Sequence, residues 1–98
     1  NHQLCRQIEQ TLSLVLSGDF QDITLQNLFV ESVRPAPDAS QMLVSVRDVS
    51  GGPPDPVGII NKLERVSGHL RSQIAAAISR KKAPRLLFRV VALPPRTA

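Results

Sequence analysis

Between residues 59 and 78 the apolar side chains keep helical spacing straight through a glycine. Ile59, Leu63, Val66, Leu70, Ile74 and Ala77 follow one another in steps of three or four, with Ile60 and Ile78 flanking. That is the period of one helix face. Ser67-Gly68 sits inside the stripe. A mid-helix glycine costs about 1 kcal/mol relative to alanine, and Gly/Ser pairs are common sites of sharp kinks. The spacing therefore predicts two helices in one broad direction, joined by a bend near 66–69. Asp55-Pro56 supplies the start, because Asp accepts from free N–H groups and Pro fits the first turn. Pro84 forbids continuation and biases Ala83 toward extended backbone. Leu86, Phe88 and Val90 then alternate with Leu87 and Arg89 as a strand.

The rest of the chain supplies partners for that element. Leu4, Ile8, Leu12, Val15 and Leu16 form one face of an amphipathic helix. Gly18 is expected to end it in the left-handed conformation. Residues 19–26 read as a connection, with Phe20 and Ile23 dipping into the core. In LFVESV (28–33), Leu28 and Val30 share a phase that Val33 does not, so a strand with a bulge is expected. The two prolines of residues 34–39 mark a turn. Met42, Val44 and Val46 alternate with Gln41, Ser45 and Arg47 as a half-buried strand, expected to pair antiparallel with the one before it. Ser50-Gly51-Gly52-Pro53-Pro54 breaks regular structure. Pro94-Pro95 ends the last strand, so the domain is read as 1–93 with 94–98 a disordered tail.

Charge is divided along the chain. Residues 1–61 carry Arg6, Arg34 and Arg47 against seven carboxylates, whereas residues 62–98 carry nine Lys and Arg against Glu64 alone. The total of +4 conceals this split. A concentration of positive potential on one part of a small domain points to a polyanion. With three Phe and no Trp or Tyr, the core must be aliphatic and a base-stacking platform is not expected. A single cysteine, Cys5, cannot form an internal disulfide, which suggests a reducing compartment. It lies beside an apolar stripe and reads as a packed thiol. His2 and His69 are the only histidines, and no Cys/His/Asp spacing suits a metal. No nucleophile or phosphate-cradling loop is recognisable, so no catalytic residue, metal or cofactor is assigned. No apolar run approaches the roughly 20 residues of a membrane helix.

The order α-β-β-α-kink-α-β predicts an α+β fold, a three-stranded sheet packed against helices. This is the outline of a type II, bacterial KH-like domain. At this point particular residues resemble a known family. Ser67-Gly68-His69-Leu70-Arg71-Ser72-Gln73-Ile74, then Ala83-Pro84-Arg85-Leu86-Leu87-Phe88, is similar to the signature of ribosome-binding factor A. There a small residue, x-Gly, a hydrophobic pair and Arg-Ser lie in a kinked helix, and a basic cluster precedes x-Pro-x-Leu-x-Phe. The resemblance covers nearly the whole chain. Val66 replaces the usual kink alanine, and Asp22-Ile23-Thr24 stands where the family carries Asp-Pro-Arg.

The resemblance implies a KH-like domain in which an Ala-x-Gly kink replaces the Gly-x-x-Gly loop. It implies a non-catalytic, monomeric biogenesis factor that binds the small (30S) ribosomal subunit and assists processing of 16S-type rRNA, near the neck and decoding region. The compartment expected is the bacterial cytoplasm, or an organellar stroma or matrix if a transit segment preceded Asn1. The alternative is a protein-interaction module that reuses the fold without RNA. The predicted RNA-binding residues are Lys62, Arg65, Ser67, Gly68, His69, Arg71, Ser72, Arg80, Lys81, Lys82 and Arg85. The reasons are physical: a bend exposes N–H groups at a helix start, the dipole attracts anions there, and glycine lets a backbone approach. Recognition is then expected through RNA shape and phosphates, not base identity.

Overall fold

The structure, a computed structural model, describes residues 2–79 and 82–91. Its elements run α1 (His2–Gly18), α2 (Ile23–Gln26), β1 (Leu28–Pro35), β2 (Gln41–Asp48), α3 (Pro56–Arg65), α4 (Ser67–Ile78) and β3 (Arg85–Val90). The predicted α+β order is present, with α2 added. Arg80, Lys81 and the 94–98 tail lie outside the described residues.

The apolar stripe of α1 is buried as its period requires: Leu4, Ile8, Leu12, Val15 and Leu16 all join the core. Gly18 does not take the left-handed turn. The Asp19 N–H continues the helical pattern to the Val15 carbonyl at 2.9 Å, and among the described glycines only Gly51 has positive φ. The left-handed helix end falls instead at Ser79, φ 57°, after α4. Residues 19–26 are more than a connection. The Asp22 side chain accepts from the Thr24 N–H at 2.9 Å, starting the single turn of α2. Leu25 is the residue this turn buries, while Phe20 is half-buried against the core and Ile23 faces out at 69% exposure.

The sheet has the order β1-β2-β3. β1 pairs antiparallel with β2, and its register shifts between Val30 and Ser32. The extra residue, Glu31, turns the second half of β1 over, so Leu28, Val30 and Val33 all face the core despite their different phases. β3 pairs parallel with β2; parallel neighbours need a crossover, and α3–α4 provide it. Met42, Val44 and Val46 lie at the centre of the core, each no more than 1% exposed.

At the start of α3, Asp55 accepts from the Gly58 N–H at 3.1 Å, and Pro56 fills the first helical position. The break between α3 and α4 is one residue, Val66, with φ −99° and ψ 5°. Hydrogen bonding continues on both sides, from the Val66 N–H to the Lys62 carbonyl and from the Leu70 N–H to the Val66 carbonyl. The bend thus falls at the β-branched residue before the Ser-Gly pair, and Ser67 and Gly68 open α4. Ile59, Leu63, Leu70 and Ile74 are buried across the break. Ala77 is exposed, contrary to the sequence reading, because after Val66 the buried phase runs 70, 74 and 78, with Ile78 packed against the core.

Candidate nucleic-acid interface

The predicted RNA-binding residues fall into two groups. The first surrounds the bend. Arg65 ends α3, Ser67 and Gly68 begin α4, and His69 and Ser72 continue the same face at helical spacing. Val66, the residue before α4, provides no side-chain hydrogen bond to the first N–H groups. The positive end of this 12-residue helix is therefore without a side-chain cap.

Gly68 is exposed, and a Cβ built on it would meet nothing within 4 Å. It serves no close packing against the sheet. The open space lies directly over the helix start.

Two basic side chains near the bend are held by acids from the α1–α2 connection. Lys62 Nζ lies 3.1 Å from Asp22 Oδ2 and donates to Thr24 Oγ1 at 3.2 Å. His69 Nε2 lies 2.8 Å from Asp19 Oδ2, and its ring meets Phe20 edge-on with centroids 5.5 Å apart. Partial burial pushes the Asp22 carboxyl up, but the Lys62 ammonium and the Thr24 and Leu25 amides outweigh it. The net result holds the carboxyl below its ordinary range. Asp19 and Asp22 stand 50 and 40 residues from their partners. Their role has no local signature in the sequence, where they count only toward the acidic half. Arg65 has no ion-pair or hydrogen-bond partner for its side chain among the described residues.

The second group lies at the entry to β3. Arg71 does not reach toward the bend. Its Nε donates to the Pro84 carbonyl at 3.3 Å and its Nη2 to the Ala83 carbonyl at 3.1 Å. The reason is the buried approach to β3: Ala83 and Pro84 are enclosed, and their carbonyls need donors. Arg71 thus pins α4 to the strand. With Lys82 and Arg85, both exposed, it borders a hollow of about 340 Å³ that Ala39 and Ser40 complete. Lys82 and Arg85 have no acidic partner among the described residues. Of the predicted set, Arg80 and Lys81 lie outside the described residues.

The bend offers cations, a helix dipole and open backbone, which together suit a phosphate rather than a reacting bond. Among the described residues, no group of three or more His, Cys, Asp or Glu could hold a metal ion, and no helix is long and apolar enough to cross a membrane.

No family model and no curated relative matches the chain by sequence. Solved structures do. The crystal structure of ribosome-binding factor A from Thermus thermophilus is similar at a TM-score of 0.77 and 26% identity, over 91% of this chain and 92% of that one. A Thermus thermophilus ribosome-binding factor A homology model, fitted into a cryo-EM map of a 30S complex, is similar at a TM-score of 0.67 and 26% identity. That match covers 87% of this chain and 88% of the other. The fold, the kinked-helix residues and similarity over nearly the full length of both chains agree: this chain is similar to ribosome-binding factor A.

Proposed function

We propose that this chain is a ribosome biogenesis factor that binds the small ribosomal subunit and assists maturation of its 16S-type rRNA without catalysis. The carrying observation is the open start of α4. A helix N-terminus with no side-chain cap coincides there with Gly68, whose Cβ position is empty space. An RNA phosphate can approach the N–H groups closely, with Arg65 and Ser72 on the same face. Lys62 and His69 join when phosphate displaces Asp22 and Asp19. Lys82 and Arg85, with Arg80 and Lys81 beside them in sequence, extend the positive surface toward β3. The similarity to a homology model fitted into a cryo-EM map of a 30S complex supports the small subunit as the source of that RNA.

Phosphate contacts release counterions, so co-sedimentation with purified small subunits should weaken steeply between roughly 50 and 200 mM salt. Gly68→Glu places a carboxylate where the phosphate would sit, at a helix end where an acid is otherwise favourable. The variant should fold and lose small-subunit binding. Binding that survives Gly68→Glu unchanged would remove the bend from the interface. Absence of any RNA affinity at low salt would favour a protein-interaction module instead.

A further inference from the structure

The helices cover one face of the sheet; its other face carries a second set of cations. The register places Phe29 beside Arg47, Ser32 beside Ser45 and Arg89, Arg34 beside Leu43 and Leu87, and Gln41 beside Arg85. These side chains point opposite to Met42, Val44 and Val46, which the helix layer buries. Phe29 and Leu87 stand 53% and 41% exposed. Four arginines therefore share this face. Glu31, at the bulge, is already paired with Arg47.

The arginines are arranged differently from loose surface charges. Arg89 lies across β2, its Nε and Nη2 donating to the Ser45 hydroxyl at 3.2 and 3.0 Å. Ser45 is buried as a result, at 1% exposure. Arg47 sits over the Phe29 ring at 5.9 Å. Arg34 and Arg85 are exposed, and their side chains have no ion-pair or hydrogen-bond partner among the described residues. Arg85 and Arg89 are about 13 Å apart along β3, and Arg34 faces them from the far strand.

We propose that this open sheet face is a second RNA-docking surface, one that takes single-stranded RNA along its phosphate backbone. Charge decides the occupant. A second copy of the chain would set arginines against arginines. A polyanion meets three guanidinium groups that no carboxylate among the described residues neutralises: Arg34, Arg85 and Arg89. Their planar forks match phosphate oxygens in a way an ammonium does not. Phe29 and Leu87 offer apolar surface between the cations, on which an unstacked base or ribose can rest. The bend lies in the helix layer, on the other side of the sheet. A chain with both surfaces can hold two RNA segments at once, the second binding at the effective concentration set by the first. The inference rests on the ribosomal reading only for the source of the RNA.

The test measures binding of the whole chain to a single-stranded RNA oligonucleotide and, separately, to purified small subunits across a salt series. The double variant Arg34→Gln/Arg89→Gln should weaken oligonucleotide binding about tenfold and flatten the salt slope by about 1.4, at roughly 0.7 per phosphate contact on a single strand. Arg34→Glu, which breaks no side-chain hydrogen bond or ion pair among the described residues, should weaken it without altering the unfolding midpoint. Arg89→Lys, which keeps charge and loses the fork, should fall between wild type and the double variant. Gly68→Glu should leave a residual oligonucleotide affinity that Arg34→Gln/Arg89→Gln then removes. If Arg34→Gln/Arg89→Gln and Arg34→Glu both leave affinity and slope unchanged, the proposal is overturned, whatever Gly68→Glu does. If they weaken small-subunit binding but not oligonucleotide binding, the occupant is a protein and the proposal is also overturned. Loss on the sheet variants with none on Gly68→Glu would retain the sheet surface and remove the bend.

Discussion

Two helices of this chain begin in opposite ways. α3 is closed by its own sequence: Asp55 caps it, Pro56 fills its first position, and Gly58 is small because a Cβ there would collide with the Asp55 carboxylate. α4 begins at a bend, with Val66 in the capping position, no side-chain acceptor, and a glycine whose Cβ would touch nothing. Both glycines sit in a first turn, yet one makes room for its helix's cap and the other makes room for nothing in the described chain. A glycine that packing does not require still carries the entropic cost of glycine in a helix. Its presence at an uncapped positive helix end, among basic residues, fits the proposed approach of an RNA backbone from outside.

This contrast can be broken by substitution. The largest effect expected is on binding: Gly68→Glu should lower small-subunit affinity by about 10- to 100-fold, or roughly 1.4–2.7 kcal/mol, with the unfolding midpoint retained. At α3 the effects should fall on stability alone. Asp55→Ala should cost about 1 kcal/mol in urea unfolding. Gly58→Ala should be close to neutral, because the helix propensity it gains is offset by the cap it displaces. In the Asp55→Ala background, with the carboxylate gone, Gly58→Ala should become stabilising by about 0.5–1 kcal/mol. A double-mutant cycle that shows no such coupling would contradict the account of the α3 start.

Smaller effects test the edges of the comparison. Ser79 closes α4 at φ 57°, a conformation that costs a non-glycine residue roughly 1 kcal/mol. Ser79→Gly should therefore raise stability by about 0.5–1 kcal/mol. The smallest concerns Asp22, the acid that holds Lys62 beside the bend. Asp22→Asn keeps a capping side chain for α2 but releases Lys62, so RNA affinity should rise by about two- to threefold, the scale of a half-exposed ion pair. The same pair has a pH signature. The Asp22 carboxyl is held below its ordinary value in the folded chain, so the unfolded chain binds more protons in the acid range. Its contribution, a few tenths of a kcal/mol, is complete above the unfolded carboxylate pKa of about 3.9. It disappears as pH falls through the lower folded value. Acid unfolding of Asp22→Asn should lack that component; an unchanged acid limb would contradict the pairing.

The sequence made much of this architecture legible because the decisive signals are local or periodic. The stripe through Gly68 required a break that leaves apolar residues buried on both sides, and Val66 supplies it. The phase conflict between Val30 and Val33 required a bulge, and the register shift lies there. What escaped was long-range or idiosyncratic. Asp19 and Asp22 find His69 and Lys62 only after the chain folds, so their neutralising role leaves no spacing to read. Arg71 looked like a phosphate ligand from its place beside the glycine, but the buried carbonyls of residues 83–84 claim it. Gly18 offered a left-handed turn that the chain takes instead at Ser79, against the residue's own preference. α2 is one turn long, and its only marker is an Asp two residues before a threonine.

The central claim is that Gly68 is kept for an incoming RNA backbone and not for packing. Gly68→Ala tests it most directly, with urea unfolding and small-subunit affinity measured on the same preparation. The account predicts a gain of about 0.5–1 kcal/mol in stability, since the added methyl enters open space on a helix. It also predicts a loss of at least about threefold in affinity, because the methyl sits where phosphate would approach. A stabilised variant that binds the small subunit as tightly as the wild type would contradict it.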